Sequence, residues 1–238
     1  MHDLPLHKRL YYSWLGLVYG FTYWTSHNSF IFRLRTWVCL LAFVPLILFW
    51  RRNQGVPLLL LGLLLGLAVM WLYWRAWRVG YKKFVVQETA GTPSDPTPIP
   101  TNQRIPLRAS GIFGVGNREE QILQQPTEYW QVPLGDHTLM AEPEPGRFLY
   151  QFFSAASLQN LETGWLICGP TPLSVLAVTF NSAWGNELVS LRELYQGGDE
   201  NGRTPKRRTV YLNFASEADE QAVRDTILYD ARQKRKLA

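Results

Sequence analysis

The sequence predicts a two-helix membrane hairpin followed by a soluble α+β domain, an antiparallel β-sandwich or barrel of about seven strands capped by a C-terminal helix. Three observations carry this expectation. Residues Val56–Trp74 (VPLLLLGLLLGLAVMWLYW) hold nine leucines and no charge, and Arg51, Arg52 and Arg75 bracket them. A proline-rich stretch, residues 87–103, then divides the chain. From Arg104 onward, short β-rich runs replace the long apolar ones, and an amphipathic helical pattern closes the sequence.

The first element, residues 1–29, centres on Leu10–Trp24 (LYYSWLGLVYGFTYW), which is uncharged and rich in Tyr and Trp. Amphipathic rings favour the headgroup level of a bilayer, so this segment reads as an interfacial helix. It ends at Thr25-Ser26-His27-Asn28, where several residues can cap the helix that follows. The competing reading is a third span over Leu10–Phe32, which would put the large domain on the other side of the membrane. The N-terminus shows no compact apolar core followed by a small-residue cleavage site, so no signal peptide is expected.

Residues 30–86 are expected to form the hairpin, with spans at about 30–50 and 56–77. A helix needs roughly 20 predominantly apolar residues to cross a hydrocarbon core ~30 Å thick. Leucines worth about −0.5 kcal/mol each, with no central charge opposing them, favour insertion of the second span. In the first span, Trp37–Trp50 is short, and extension back to Phe30 includes Arg33 and Arg35, whose long side chains can snorkel. Pro45 would kink it, a defect that neighbouring helices and water can satisfy. Five residues, Arg51–Gly55, join the two spans, which implies a tight antiparallel pair. Lys8, Arg9, Arg33 and Arg35 on one flank and Arg75, Arg78, Lys82 and Lys83 on the other outweigh Arg51 and Arg52 in the loop. The positive-inside rule then puts both termini in the cytoplasm. Gly62 and Gly66 form a GxxxG pair, a candidate helix-packing face.

Prolines at 93, 96, 98 and 100 make the linker an extended, polyproline-like tether. In residues 104–238, strands are expected at Arg104–Ala109, Tyr129–Pro133, Thr138–Ala141, Arg147–Phe153, Gly164–Cys168, Leu173–Phe180, Leu188–Leu194 and Thr209–Phe214. Turn signals such as Glu142–Gly146 and Gly169-Pro170 separate them, the spacing of a sandwich or barrel. Ser216 then precedes Glu217, Ala218 and Asp219, and the chain ends with Arg232, Lys234, Arg235 and Lys236, so a capped acidic start and a basic end match a helix dipole. Ala218, Ala222, Val223, Thr226, Ile227 and Ala231 give this helix a narrow docking stripe.

About seven antiparallel strands followed by one helix, with Thr209–Phe214 running directly into Ser216–Arg235, resembles a pleckstrin-homology (PH) domain. A transmembrane hairpin ahead of such a domain is similar to the layout of bacterial membrane proteins with PH-like domains, and of some photosystem assembly factors. The resemblance is architectural, covers 104–238 and contains no specific motif. It implies an interaction module in a prokaryotic plasma membrane or a thylakoid-type membrane. Phosphoinositide-binding members carry several cations on the first hairpin, whereas here Arg104, Arg108 and Arg118 are diluted by Glu119 and Glu120. Headgroup binding is therefore not carried over, and fold alone does not decide between lipid and protein ligands.

Charge narrows the partners. The formal balance of +5 arises from residues 1–103, with ten Lys/Arg against three Asp/Glu, whereas 104–238 has fourteen against sixteen. The positive charge belongs to helix flanks and makes no stripe on the soluble domain, so no nucleic acid partner is expected. The two cysteines, Cys39 and Cys168, make no disulfide framework. Gly111–Gly116 lacks the spacing of a phosphate loop and reads as a hairpin turn. Gly197–Gly202 has too few oxygen ligands for calcium and reads as an exposed hairpin tip. His2, His7, His27 and His137 sit in no zinc motif, no GxSxG elbow is present, and Cys168 has no partner base. No catalytic residue, metal or cofactor is expected.

Two basic clusters remain, Lys206-Arg207-Arg208 and Arg232 with Lys234, Arg235 and Lys236, as candidate contacts to a membrane surface or partner. The expectation is a non-catalytic interaction and scaffold module that contacts lipid and membrane-protein partners, with an assembly factor that helps build or stabilise a membrane complex as its concrete version. The alternative is a lipid-sensing module that binds anionic headgroups through these clusters. An enzyme with a strand-borne site has least support.

Overall fold

A computed structural model describes residues 5–28, 34–42, 44, 56–89, 99–100, 103–115, 118–132, 136–182 and 206–237. It contains an eight-stranded β-barrel/sheet domain with a C-terminal helix, plus helices α1 (Leu6–His27), α2 (Leu34–Ala42) and α3 (Val56–Val79). Two compact units result: a helical one, residues 1–84 with Leu166–Pro172, and a barrel one, Val85–Trp165 with Leu173–Ala238.

In the helical unit, α1 divides its residues sharply. Leu15, Gly16, Tyr19, Thr22 and Thr25 are buried on one face, at helical spacing. Leu6, Leu10, Trp14, Leu17, Phe21 and Trp24 are exposed on the opposite face. The buried threonines are tolerable because the Thr22 hydroxyl donates to the Val18 carbonyl (2.8 Å) and the Thr25 hydroxyl to that of Phe21 (2.9 Å). Thr25 Oγ1 also lies 2.7 Å from the Tyr73 hydroxyl of α3.

Helix α3 contains the one segment among the described residues that is long and apolar enough to cross a membrane, Leu60–Val79. Gly62, Gly66, Tyr73 and Ala76 make a buried stripe, while leucines cover the remaining faces and are exposed. The helix ends in a Schellman motif: Gly80 adopts φ 76° and the Tyr81 N–H reaches the Ala76 carbonyl at 2.8 Å. Of the expected first span, 30–50, only α2 and residue 44 are described; the rest of the hairpin lies outside the described residues.

The barrel consists of β1 (Lys83–Thr89), β2 (Ile105–Val115), β3 (Arg118–Val132), β4 (Asp136–Glu144), β5 (Arg147–Ser154), β6 (Leu158–Ile167), β7 (Leu173–Ser182) and β8 (Lys206–Phe214). Their order is β1-β6-β7-β8-β2-β3-β4-β5, and β2 also pairs with β5. Strand β2 achieves both pairings by bending. Its Leu107–Ser110 segment runs along β8, a register shift falls between Ala109 and Gly111, and Gly114-Val115 reaches β5. Ser110 Oγ fills the bulge by accepting the Gln124 N–H at 2.9 Å. Gly114 allows the closure, since a Cβ there would stand 2.8 Å from the Tyr150 ring.

The inward side chains of both halves, including Leu107, Phe113, Leu139, Phe153, Leu176, Phe180 and Leu212, form one core. Helix α4 (Glu217–Leu237) adds Val223, Ile227 and Ala231 to it. Ser216 Oγ accepts the Ala218 N–H at 3.2 Å, and Glu217, Asp219 and Glu220 supply the acidic first turn.

Three differences from the sequence reading stand out. The barrel begins before Arg104, because the β-branched run around Val85-Val86 forms β1 instead of trailing off the span. The glycine-rich stretch expected as a hairpin turn is strand through Val115, and β3 starts eleven residues before Tyr129. The proline-rich linker ends on the barrel: Ile99 is buried, and its N–H donates to Thr226 Oγ1 of α4 at 3.1 Å. The strand expected at Leu188–Leu194 and the Gly197–Gly202 tip lie outside the described residues.

Candidate functional site: an apolar groove on the outer barrel face

Alternation along β2–β5 sends every second side chain outward. On β3 these are Pro126, Glu128 and Trp130; opposite them lie Pro106 on β2 and Met140 on β4, with Pro106 paired to Glu128 and Glu128 to Met140. Phe148 on β5 completes a groove of about 710 Å³ with a carbon-rich floor. This volume suits a large side chain or a short peptide segment, and the groove is open along one side. Pro106 and Pro126 each take an N–H out of the ladder and supply flat, rigid apolar surface instead.

One wall is charged. Arg104 holds Glu128 at 2.9 Å and places its guanidinium 5.3 Å above the Trp130 ring. Both members of this pair are exposed, so it adds little stability. Its effect is to fix a cation and an indole at the groove mouth. Phe148 is 44% exposed. Large aromatic and arginine side chains around a central apolar floor are the composition of protein-binding hot spots.

A second cluster is buried. Tyr129 Oη lies 2.8 Å from His137 Nδ1, His137 Nε2 lies 3.6 Å from Asp230 Oδ2, and Gln131 Nε2 donates to the same oxygen at 2.5 Å. Burial, and secondarily the Asp230 carboxylate, push the Tyr129 phenol far above its ordinary range, so it stays protonated. The direction of the Tyr129–His137 hydrogen bond follows the imidazole tautomer, and Nε2 faces the Asp230 carboxylate. His137 is fully buried between Tyr129 and Phe153, with ring centroids 5.9 and 5.0 Å away. The cluster ties Asp230 of α4 to Gln131 of β3 and His137 of β4.

The basic residues singled out in the sequence do not come together. Lys206, Arg207 and Arg208 begin β8 beside the Glu119 end of β3, whereas Asp230, just before Arg232, lies beside Gln131. Twelve positions along β3 separate Glu119 from Gln131, with a register shift between them. Arg208 is ion-paired with Glu119, Arg207 is exposed, and Arg147 is ion-paired with Glu120. Lys234, Arg235 and Lys236 lie in the final turns of α4. Gly62 and Gly66 are both buried on α3.

In the helical unit, the turn between β6 and β7 seats Cys168 against α1. Burial raises its thiol to about 11, with Lys82 opposing the shift, and burial lowers the Lys82 ammonium to about 8. Such a thiol is protonated at neutral pH and a poor nucleophile. Among the described residues, no group of three His, Cys, Asp or Glu side chains is placed to hold a metal ion.

Sequence reasoning missed the groove. Its signal was the alternation Pro126, Glu128, Trp130, hidden because the first half of β3 (REEQILQQ) is polar and reads as loop. It also passed over Gly16 and Gly20, a second GxxxG pair. No protein-family model, curated protein or solved structure matches this chain.

Proposed function

We propose that this chain is a membrane-anchored, non-catalytic interaction module. Its PH-like barrel offers the Trp130 groove to a membrane-protein partner and helps assemble or stabilise a membrane complex. The observation that carries the reading is the surface of α3: Leu60, Leu61, Leu63, Leu64, Leu65, Leu67, Met70 and three tryptophans are exposed, which water would not tolerate and lipid would. Trp71 and Trp74 lie under Arg75 and Arg78, at 5.2 and 5.3 Å, the pairing of ring and cation expected where a span meets headgroups. Pairing of β8 with β2 and a helix over one end of the barrel supports the PH-like assignment. A two-span anchor with both termini cytoplasmic, in a prokaryotic plasma membrane or thylakoid-type membrane, is part of the same proposal.

The lipid-sensing alternative loses its main support. It needs one cationic face, and Arg208 in the first cluster is engaged by Glu119. The test is native electrophoresis of the tagged full-length protein in mild detergent, with mass spectrometry of each band. Co-migration with defined membrane subunits is expected. Migration as the lone chain at native expression would overturn the scaffold reading.

A further inference from the structure

The outward face of α1 is an apolar surface that stays open among the described residues. Leu6, Leu10, Trp14, Leu17, Phe21 and Trp24 recur at helical spacing over the whole helix, and each is more than half exposed. The opposite face is fully used, by Tyr73 of α3 and by the Cys168-Gly169 backbone, which approaches Gly16 and Gly20. An apolar face of this extent calls for a cover.

Where α1 meets α3 identifies the cover. Its C-terminal end reaches Tyr73, through Thr25, and Tyr81, through Tyr23 and His27 with ring centroids 5.6 and 5.8 Å away. Its N-terminal end reaches Lys83, whose ammonium stands 5.4 and 5.2 Å from the Tyr11 and Tyr12 rings. The helix thus runs past the C-terminal end of α3, from Tyr73 outward, and stops thirteen residues, about 20 Å of helix, short of Leu60. A third span would lie beside the leucine-rich part of α3, and α1 does not. It meets instead the end of α3 where Trp71, Trp74 and Trp77 are exposed, with Lys83 beside its Tyr11 and Tyr12 rings, which is the chemistry of a headgroup layer rather than of a protein interface.

We infer that α1 lies flat in the membrane surface, with its Leu6–Trp24 face in the boundary between headgroups and acyl chains of a bilayer and its Gly16–Gly20 face seating the Cys168-Gly169 turn. The occupant of the exposed face is lipid. The inference rests on the reading of α3 as a membrane span, and the experiment separates the two.

Single cysteines replace Leu10, Leu17, Trp24 and, on α3, Leu64 in a Cys39→Ser background of the full-length chain. Each variant is nitroxide-labelled in nanodiscs of phosphatidylcholine and phosphatidylglycerol, and label depth is read from oxygen against nickel-chelate accessibility. The unsubstituted background, in which Cys168 is buried, gives the labelling blank. The three α1 labels are expected at one shallow depth, within the outer ~5–10 Å of the apolar layer, and the Leu64 label near the midplane. Depths that climb by ~1.5 Å per residue from position 10 to 24 would make α1 a span and overturn the inference. Labels shielded from both probes would mean a protein covers the face, and labels open to the nickel chelate would mean water does; either overturns it too. In those outcomes a deep Leu64 label leaves the anchor standing. A water-accessible Leu64 label would remove the anchor and the inference with it.

Discussion

Substituting Gly16 by alanine tests how α1 is held. A Cβ at Gly16 would lie 1.9 Å from the Gly169 carbonyl oxygen, whereas at Gly20 it would meet the Cys168 oxygen and Gly169 Cα at 3.5 and 3.6 Å, ordinary contact. At Gly16 the obstacle is backbone, so the helix or the turn must shift by more than an ångström. Overpacking of that kind costs ~3 kcal/mol at the upper end of its usual range, and the helix preference of alanine over glycine returns ~1 kcal/mol. The net is destabilisation of α1 docking by ~2 kcal/mol for Gly16→Ala, against stabilisation by up to ~1 kcal/mol for Gly20→Ala.

Cys168 supplies the assay. It is buried in the docked state with its thiol raised to about 11, so labelling requires undocking. A loss of ~2 kcal/mol multiplies the undocked population by about 30. In a Cys39→Ser background, Gly16→Ala should label at Cys168 roughly 30-fold faster than the parent, and Gly20→Ala at the parental rate or slower. Equal rates for Gly16→Ala and the parent, or equal acceleration by both variants, would refute the close-approach account.

Other outcomes follow from the same geometry. Lys82 and Cys168 shape pH dependence in opposite senses. The Lys82 pKa is depressed to about 8 from 10.5, so the unfolded chain holds the extra proton between these values and stability rises there. The Cys168 pKa is raised to about 11 from 9.0, so its contribution is complete below 9 and lost as pH climbs to 11. Thermal unfolding of the full chain in detergent should show stability rising from pH 8 to 9, level to about 10.5, then falling, and Lys82→Met should abolish the rise and turn the level stretch above pH 9 into a fall. Trp130→Ala, together with Arg104→Ala, should remove partner co-migration while shifting the unfolding midpoint by only a few degrees, since the Arg104 contacts are exposed. His137→Ala leaves a cavity and strips Tyr129 of its partner; the expected cost is ~3–5 kcal/mol by denaturant unfolding followed by tryptophan fluorescence. Thr226→Val orphans the buried Ile99 N–H, at ~1–3 kcal/mol in the same measurement.

Local chemistry made several elements readable from the chain. The leucine run has one physical solution whatever surrounds it, and α3 occupies Val56–Val79. The Ser216 cap and acidic first turn locate the start of α4, and alternation locates β4, β5 and β7. Where local signals conflicted with pairing, the tertiary structure decided. Strand β1 follows directly on an apolar helix and looks like its tail until β6 pairs with it. The polar first half of β3 becomes strand because β2 offers it a ladder from Gly111 to Val115.

The candidate sites were less legible, because they depend on register and approach rather than on residue type. Trp130, Pro106 and Met140 lie far apart in sequence and share a face only through the pairing of β2, β3 and β4. Lys206–Arg208 and Arg232–Lys236 look alike in composition, and only the fold puts Arg208 against Glu119 while Asp230, two residues before Arg232, lies beside Gln131. Gly16 resembles any helical glycine until the Gly169 carbonyl stands in the space of its missing side chain. The sequence by itself determined the lipid-compatible helix, the strand-rich domain and the absence of a familiar catalytic motif, since hydrophobicity and periodicity are properties of contiguous residues. Only the tertiary structure decided which faces meet, because pairing and close approach join residues that the chain holds apart.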